Sequence, residues 1–322
     1  MTYNLRASAV RVPCSTSNLG SGFDTLGLAM DRYLTASFEP GGSELRLERE
    51  GTLAELDARE EDAPEVHVHE GCREDIRDDI LVSAFVDALG RDGIEPRGVL
   101  RMTSEIPIAK GLGSSVAAVL AGCDLARAVR GLPPDPDEAL RTAYAREGHG
   151  DNAAPIVLGG LVAVAATLDG LRAIPLPLSD GVGFAYAAPA AGVATEAARD
   201  ALPAQVPHAT AAAMLGHLAA LLRGLAEADR DLIAIGIEDH LHVPHRLPLI
   251  PGAYNAMGAG HEAGAWAITV SGAGSGLLAF CDPGDAEQVA EGMRMMFAGG
   301  DPEAKGCVGF ALHPDREGMR RV

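Results

Sequence analysis

The stretch Pro107-Ile108-Ala109-Lys110-Gly111-Leu112-Gly113-Ser114-Ser115 decides how the chain is read. Gly98 to Thr103, just before it, reads as a short strand, and the Ala-, Val- and Leu-rich run from Ser114 to Val129 reads as a helix. Ser114 or Ser115 is the expected N-cap, and Gly131 followed by Pro133 and Pro134 stops the helix. The helix is apolar on nearly every side and is expected to be buried. In the loop between strand and helix, Gly111 and Gly113 let the backbone turn and approach a ligand closely. Free N–H groups at the helix start, together with the helix dipole, make an anion site. The two serine hydroxyls can bind phosphate oxygens or a Mg²⁺ ion, and Lys110 adds a positive charge. Taken alone, such a run is equally a plain connecting turn. It is not the G-x-x-x-x-G-K-S/T phosphate loop, because no Lys directly precedes the serines.

Working outward, the 322 residues are 47% hydrophobic, enough for one or two domains with cores of their own. The net charge of −19 argues against a nucleic-acid partner or an anionic membrane surface. It does not exclude a nucleotide, since local dipoles and Mg²⁺ dominate at close range. Cys14, Cys72, Cys123, Cys281 and Cys307 are scattered and form no C-x-x-C pair, so reduced thiols in a cytoplasmic protein are expected. No uninterrupted apolar run of about 18 residues occurs, and no membrane span is expected.

Other stretches carry polar groups in turn-forming surroundings. Asn18-Leu19-Gly20-Ser21-Gly22-Phe23-Asp24 follows a strand beginning at Ser8. Its Asp24 carboxylate suits an ammonium group, although Asn and Asp are also ordinary turn residues. Tyr33 to Glu50 reads as paired strands around Pro40-Gly41-Gly42, and Thr52 to Asp79 as an acidic surface segment holding His67 and His69. Asp79 opens a helix to about Leu89, and a helix over Asp137 to Arg146 delivers Glu147, a suitable Mg²⁺ ligand. Gly183 to Ala188 and Ala265 to Val270 read as strands, and Thr195 as the N-cap of a helix carrying Arg199. His240, His242 and His245 cluster, but Pro244 breaks any helical ligand spacing.

The quoted loop resembles the second motif of the GHMP kinases. Val12 to Gly27 is similar to the N-terminal motif of their homoserine kinase branch, and Ser271-Gly272-Ala273-Gly274-Ser275-Gly276 to the family's third, glycine-rich motif. Glu147-Gly148-His149-Gly150-Asp151-Asn152 resembles the branch's E-G-H-P-D-N. The four occur in family order. The resemblance implies two α+β domains, residues 1–157 like ribosomal protein S5 domain 2 and residues 158–322 ferredoxin-like, with the active site between them. It implies an ATP- and Mg²⁺-dependent transfer of phosphate to the hydroxyl of L-homoserine, on the way to threonine.

Residue by residue, the resemblance places ATP on Pro107, Ile108, Ala109, Lys110, Gly111, Leu112, Gly113, Ser114 and Ser115, with Asp79 near the base. Mg²⁺ falls to Ser115 and Glu147. Substrate contacts fall to Asn18, Asp24, His149, Arg199 and Arg246, the arginines on the carboxylate. Asn152, Thr195 and Lys110 are expected at the reacting groups. Asn152 cannot accept a proton at neutral pH, and Asp151 is expected to point elsewhere. A loose transition state makes a mechanism without a strong base acceptable. Asp79, Gly150, Thr210 and Ser275 depart from the branch pattern. Two other readings stay open here: a kinase for another small alcohol such as threonine or mevalonate, and a catalytically silent ligand-binding member. A homodimer is compatible with all of them.

Overall fold

The structure is a computed structural model that describes residues 5–54, 79–168 and 170–322. The expected surface segment with His67 and His69 therefore lies almost wholly outside the described residues.

A long antiparallel pair begins the first sheet. Strand β1 (Ser8–Ser17) starts where the sequence places it and runs past Pro13 to the edge of the 18–24 turn. Its partner β2 (Leu26–Pro40) follows it throughout, with a register shift between Pro13 and Cys14, where proline has no N–H to give the ladder. Val10, Val12 and Cys14 alternate into the core. The next strand, β3 (Leu45–Gly51), does not form the expected hairpin with β2. After α1 (Ile80–Gly90), strand β4 (Gly98–Ser104) enters between them, antiparallel to β2 and parallel to β3. The turn residues Pro40-Gly41-Gly42 reverse the chain without specifying which strand fills the adjacent position.

Helix α2 (Ser114–Val129) has the bounds read from sequence and buries Val116, Ala117, Leu120, Leu125 and Val129. Fully burying a Val or Leu side chain stabilises by about 1.5–3 kcal/mol. A Cβ at Gly122 would lie 2.5 Å from the Leu81 carbonyl oxygen, so this glycine allows α1 and α2 to close on each other. Helices α3 (Pro136–Glu147) and α4 (Ala153–Leu158) follow, then β5 (Leu161–Thr167), which pairs with the start of β2, and β6 (Gly170–Leu176), which pairs with β5.

The second sheet begins with β7 (Gly183–Ala188). Helices α5 (Thr195–Asp200), α6 (His208–Glu227), α7 (Arg230–Ile237), α8 (Val243–Arg246) and α9 (Ala253–Glu262) lead to β8 (Ala267–Val270) and β9 (Leu277–Cys281). Helix α10 (Ala286–Phe297) and β10 (Val308–Leu312) complete the sheet. Its order is β10-β7-β9-β8, antiparallel throughout, the arrangement of a ferredoxin-like unit. Alternation along β7 divides the core. Phe184, Tyr186 and Ala188 face the cluster shared with the first sheet, while Ala185 and Ala187 face α9 and α10.

A last short strand, β11 (Arg320–Arg321), returns to β1. The first sheet thus contains β5, β6 and β11 as well as β1 to β4, so the change of sheet comes after Leu176 and not at the 157/158 division expected from sequence. Helix α6 is long and apolar enough, by length and composition, to cross a membrane, although His217 and Arg223 interrupt its apolar run. It packs on α7 through Leu221, and a Cβ at Gly236 would lie 2.4 Å from the Leu221 Cβ.

Candidate active site

A cleft of about 450 Å³ lies where the loop after β4, the start of α2, the 147–152 loop, the 18–24 turn, α5, α8 and the 271–276 loop converge. One end is apolar, lined by Leu34, Ile80, Leu81, Met102, Ile106 and Val116. The other end is charged.

Between them runs the glycine loop. Ala109, Gly111 and Gly113 have φ of +56°, +77° and +65°. A Cβ at Gly111 would lie 2.2 Å from the Ser271 carbonyl oxygen, and one at Gly113 2.6 Å from Ser15 Oγ. Both positions exclude a side chain on space as well as conformation. Gly113 is the N-cap of α2, which corrects the expectation that a serine caps it. Both serines sit in the first turn and line the cleft. Ser115 Oγ is 3.5 Å from Glu147 Oε1, where α3 ends. A hydroxyl and a carboxylate meeting at a helix N-terminus form a donor set that suits Mg²⁺, a cation that takes hard oxygen ligands and leaves room for phosphate.

Three residues of the quoted stretch stand apart from the cleft wall. Pro107 and Leu112 are buried. The Lys110 ammonium donates to the carbonyls of Pro189 and Ala190 beyond β7, so its charge ties the loop to the second sheet. Asp79 does line the apolar end, with both carboxylate oxygens engaged. Oδ1 caps α1 by accepting from the Leu81 and Val82 amides, and Oδ2 pairs with Arg49 at 3.0 Å.

At the charged end, Asn18, Leu19 and Asp24 take left-handed backbone conformations, and Asn18 Oδ1 accepts the Asp24 amide at 2.9 Å. This turn aims Asp24 at Arg199 of α5, and the two side chains form a bidentate pair at 2.9 and 3.2 Å. Thr195 lines the cleft as the first helical residue of α5. Ala194 is the N-cap, so the threonine hydroxyl is not spent on capping as the sequence suggested. Arg246 is only 2% exposed. Its Nε donates to the Ala198 carbonyl at 3.3 Å, its Nη1 to the Gly272 carbonyl at 3.1 Å, and its guanidinium lies 5.1 Å from the Phe23 ring centre. Burial, and then the charge of Arg199, lower its pKa from the usual arginine value.

Asp151 differs from the sequence expectation. It sits in a turn before α4, where strand-like alternation does not apply, and its side chain lines the cleft. Its Oδ1 bonds to His149 Nδ1, while Oδ2 is buried with no hydrogen-bond partner among the described residues. Burial pushes His149 down, but the hydrogen bond and charge of Asp151 outweigh it and hold the imidazole above its ordinary value. Asp24, His149 and Asp151 offer oxygen and nitrogen atoms within 4.8 Å of one another. Neighbouring Asn152 has its amide oriented by two hydroxyls: Ser15 Oγ donates to Oδ1 at 2.9 Å, and Nδ2 donates to Ser17 Oγ at 3.0 Å.

The sequence singles out His242 only within a histidine cluster and does not reveal its place beside Arg246. Its Nε2 donates to the Gly20 carbonyl at 3.0 Å, which leaves Nδ1 as the acceptor 3.5 Å from Arg246 Nη1. Its ring stacks on Phe23, and burial keeps it neutral by lowering its pKa. The signal was the position of His242 four residues before Arg246, one helical turn away.

Comparison with known proteins agrees with this geometry. The profile described as GHMP kinases N terminal domain matches residues 80–160, and that described as GHMP kinases C terminal matches residues 218–299. The chain is 38% identical over 298 residues to a homoserine kinase of Thermus thermophilus, covering 92% of this chain and 94% of that one. It is 34% identical over 278 residues to the homoserine kinase of Carboxydothermus hydrogenoformans, 86% of each chain. The crystal structure of homoserine kinase from Cytophaga hutchinsonii shares the fold with a TM-score of 0.76 at 24% identity, over 98% of this chain and 97% of that one. A mevalonate kinase of L. major shares it with a TM-score of 0.65 at 13% identity, over 98% and 96%. With a glycine loop on a helix N-terminus, two α+β units around one cleft and relatives above 30% identity along most of its length, the chain belongs to the GHMP kinase family.

Proposed function

We propose that the chain transfers the γ-phosphate of ATP to the hydroxyl of L-homoserine, giving O-phospho-L-homoserine and ADP on the route to threonine in the cytoplasm. The observation that carries this reading is the charged end of the cleft. Two carboxylates, Asp24 and Asp151, and two guanidiniums, Arg199 and Arg246, lie around one small space beside the glycine loop. That set complements a zwitterion and would leave charges unmatched around mevalonate, which has no ammonium group. The identities above to homoserine kinases support the same substrate.

Asp24, with Asp151 and His149 behind it, holds the substrate ammonium. Arg246 is already fixed by two carbonyls and takes the carboxylate together with Arg199. Asp24 and Arg199 satisfy each other in the ligand-free cleft, and the substrate enters by exchanging that pair for one of its own. Adenine occupies the apolar end and the phosphates lie on the glycine loop. Mg²⁺ would be held by Ser115 and Glu147 and would neutralise phosphate charge. Asn152 and Thr195 face the reacting hydroxyl and phosphoryl group. Neither takes the proton, which leaves late, to the transferred phosphate itself, as a loose transition state allows.

A coupled assay of ADP release with Mg·ATP and L-homoserine, D-homoserine, L-threonine, mevalonate and galactose tests the proposal. Strong preference for L-homoserine is expected. Preference for another alcohol would overturn the substrate assignment, and absence of turnover in folded protein would overturn the kinase.

A further inference from the structure

The glycine loop is held from behind by groups that belong to neither of the substrates' expected contacts. Three consecutive carbonyls are tied away from the cleft. Lys110 C=O accepts the hydroxyl of Tyr186, on β7 of the second sheet. Gly111 C=O accepts the hydroxyl of Ser271 at 2.7 Å. Leu112 C=O accepts the Ser15 amide at 3.2 Å. Ser271 has one proton and gives it to Gly111, so Thr16 Oγ1, 2.9 Å away, is the donor to Ser271.

In a trans peptide unit the N–H points opposite the C=O. Turning these three carbonyls back therefore turns the N–H groups of Gly111, Leu112 and Gly113 forward. None of the three donates to a protein acceptor among the described residues. Successive free N–H groups of this kind form an anion-binding concavity.

Tyr186 is built into this arrangement. It is fully buried, its ring stacks on Phe310 at 5.3 Å, and burial raises its pKa well above that of ordinary tyrosine. A Cβ at Gly276 would lie 2.1 Å from its hydroxyl oxygen, so the glycine that ends the 271–276 loop makes room for that hydroxyl.

We propose that Tyr186, assisted by Ser271, is a positioning residue for the phosphate donor. Its hydroxyl fixes the Lys110–Gly111 peptide plane so that the Gly111 N–H faces the phosphates. The proposal rests on the reading of this cleft as an ATP site.

The test compares Mg·ADP with adenosine, binding each to wild type and to Tyr186→Phe by calorimetry. The variant keeps the ring and its stacking and removes only the hydroxyl. A hydrogen bond lost from the support of the loop should weaken ADP by about tenfold. Adenosine has no phosphates, and its affinity should stay within about twofold. An ADP affinity within twofold of wild type would overturn the proposal, and so would an equal loss for both ligands, which marks general damage to the cleft. Ser271→Ala carries the same comparison with the same expected and overturning results, should Tyr186→Phe fail to fold. Wild-type protein that does not distinguish ADP from adenosine would instead refute the ATP-site reading itself.

Discussion

Replacing Asp24 by Asn tests the substrate end of the cleft most cleanly. The change keeps the size of the side chain and leaves the Asp24 main-chain contact with Asn18 Oδ1 in place, since that contact uses the backbone amide. The lost ion pair with Arg199 matters little for stability. The side chains are 34% and 37% exposed, and such pairs contribute up to about 1 kcal/mol. The lost charge matters more for a bound ammonium. Hydrogen bonds to charged groups contribute about 1.5–3 kcal/mol, which converts to roughly 10- to 150-fold in affinity. Two features of the structure favour the lower part of that range. The site is partly open to water, and Arg199, released from Asp24, becomes fully available to the carboxylate. A rise in the homoserine KM of roughly 10- to 30-fold is expected, with the KM for ATP and the thermal midpoint nearly unchanged. Arg199→Gln should raise the same KM, and the double variant should show less than the sum of the two free-energy changes. A homoserine KM within twofold of wild type in Asp24→Asn, or a comparable rise in the KM for ATP, would refute the assignment.

Three other perturbations follow from the geometry. Glu147→Ala should lower turnover by more than about 100-fold and raise the Mg²⁺ concentration needed for half-maximal rate, with little change in melting; kinetics across a Mg²⁺ titration check it. His149 has a raised pKa, so its pairing with Asp151 adds stability below the unfolded value of about 6.5 and loses it as pH rises through the higher folded value. The difference in thermal midpoint between wild type and His149→Gln should therefore shrink from about pH 5.5 to pH 8.5, and a constant difference would contradict the pairing. Gly111→Ala forces a Cβ to 2.2 Å from the Ser271 carbonyl at a φ of +77° and should destabilise by about 2 kcal/mol or more while abolishing ADP binding, both readable by melting with and without ADP.

Local chemistry made the glycine loop and α2 legible: small residues, a strand before and a Gly–Pro stop after. The same held for β7, β8 and the Asp79 cap, where neighbours along the chain decide the outcome. Features that depend on distant partners were not legible. The insertion of β4 between β2 and β3 pairs residues far apart in the chain, and the turn at Pro40 carries no trace of it. Asp151 enters the cleft because it lies in a turn held between α3 and α4, and His149 is close enough to claim one of its oxygens. The mutual pairing of Asp24 and Arg199 spans 175 residues and leaves no local trace. Lys110 looked like a phosphate ligand from its position in the loop, but carbonyls supplied from beyond β7 claim its ammonium.

The most direct measurement of the central claim is phosphorus NMR of a reaction containing the protein, Mg·ATP and L-homoserine. A phosphomonoester signal from O-phospho-L-homoserine should grow in step with ADP. Inorganic phosphate growing in step with ADP, with no phosphomonoester, would contradict it.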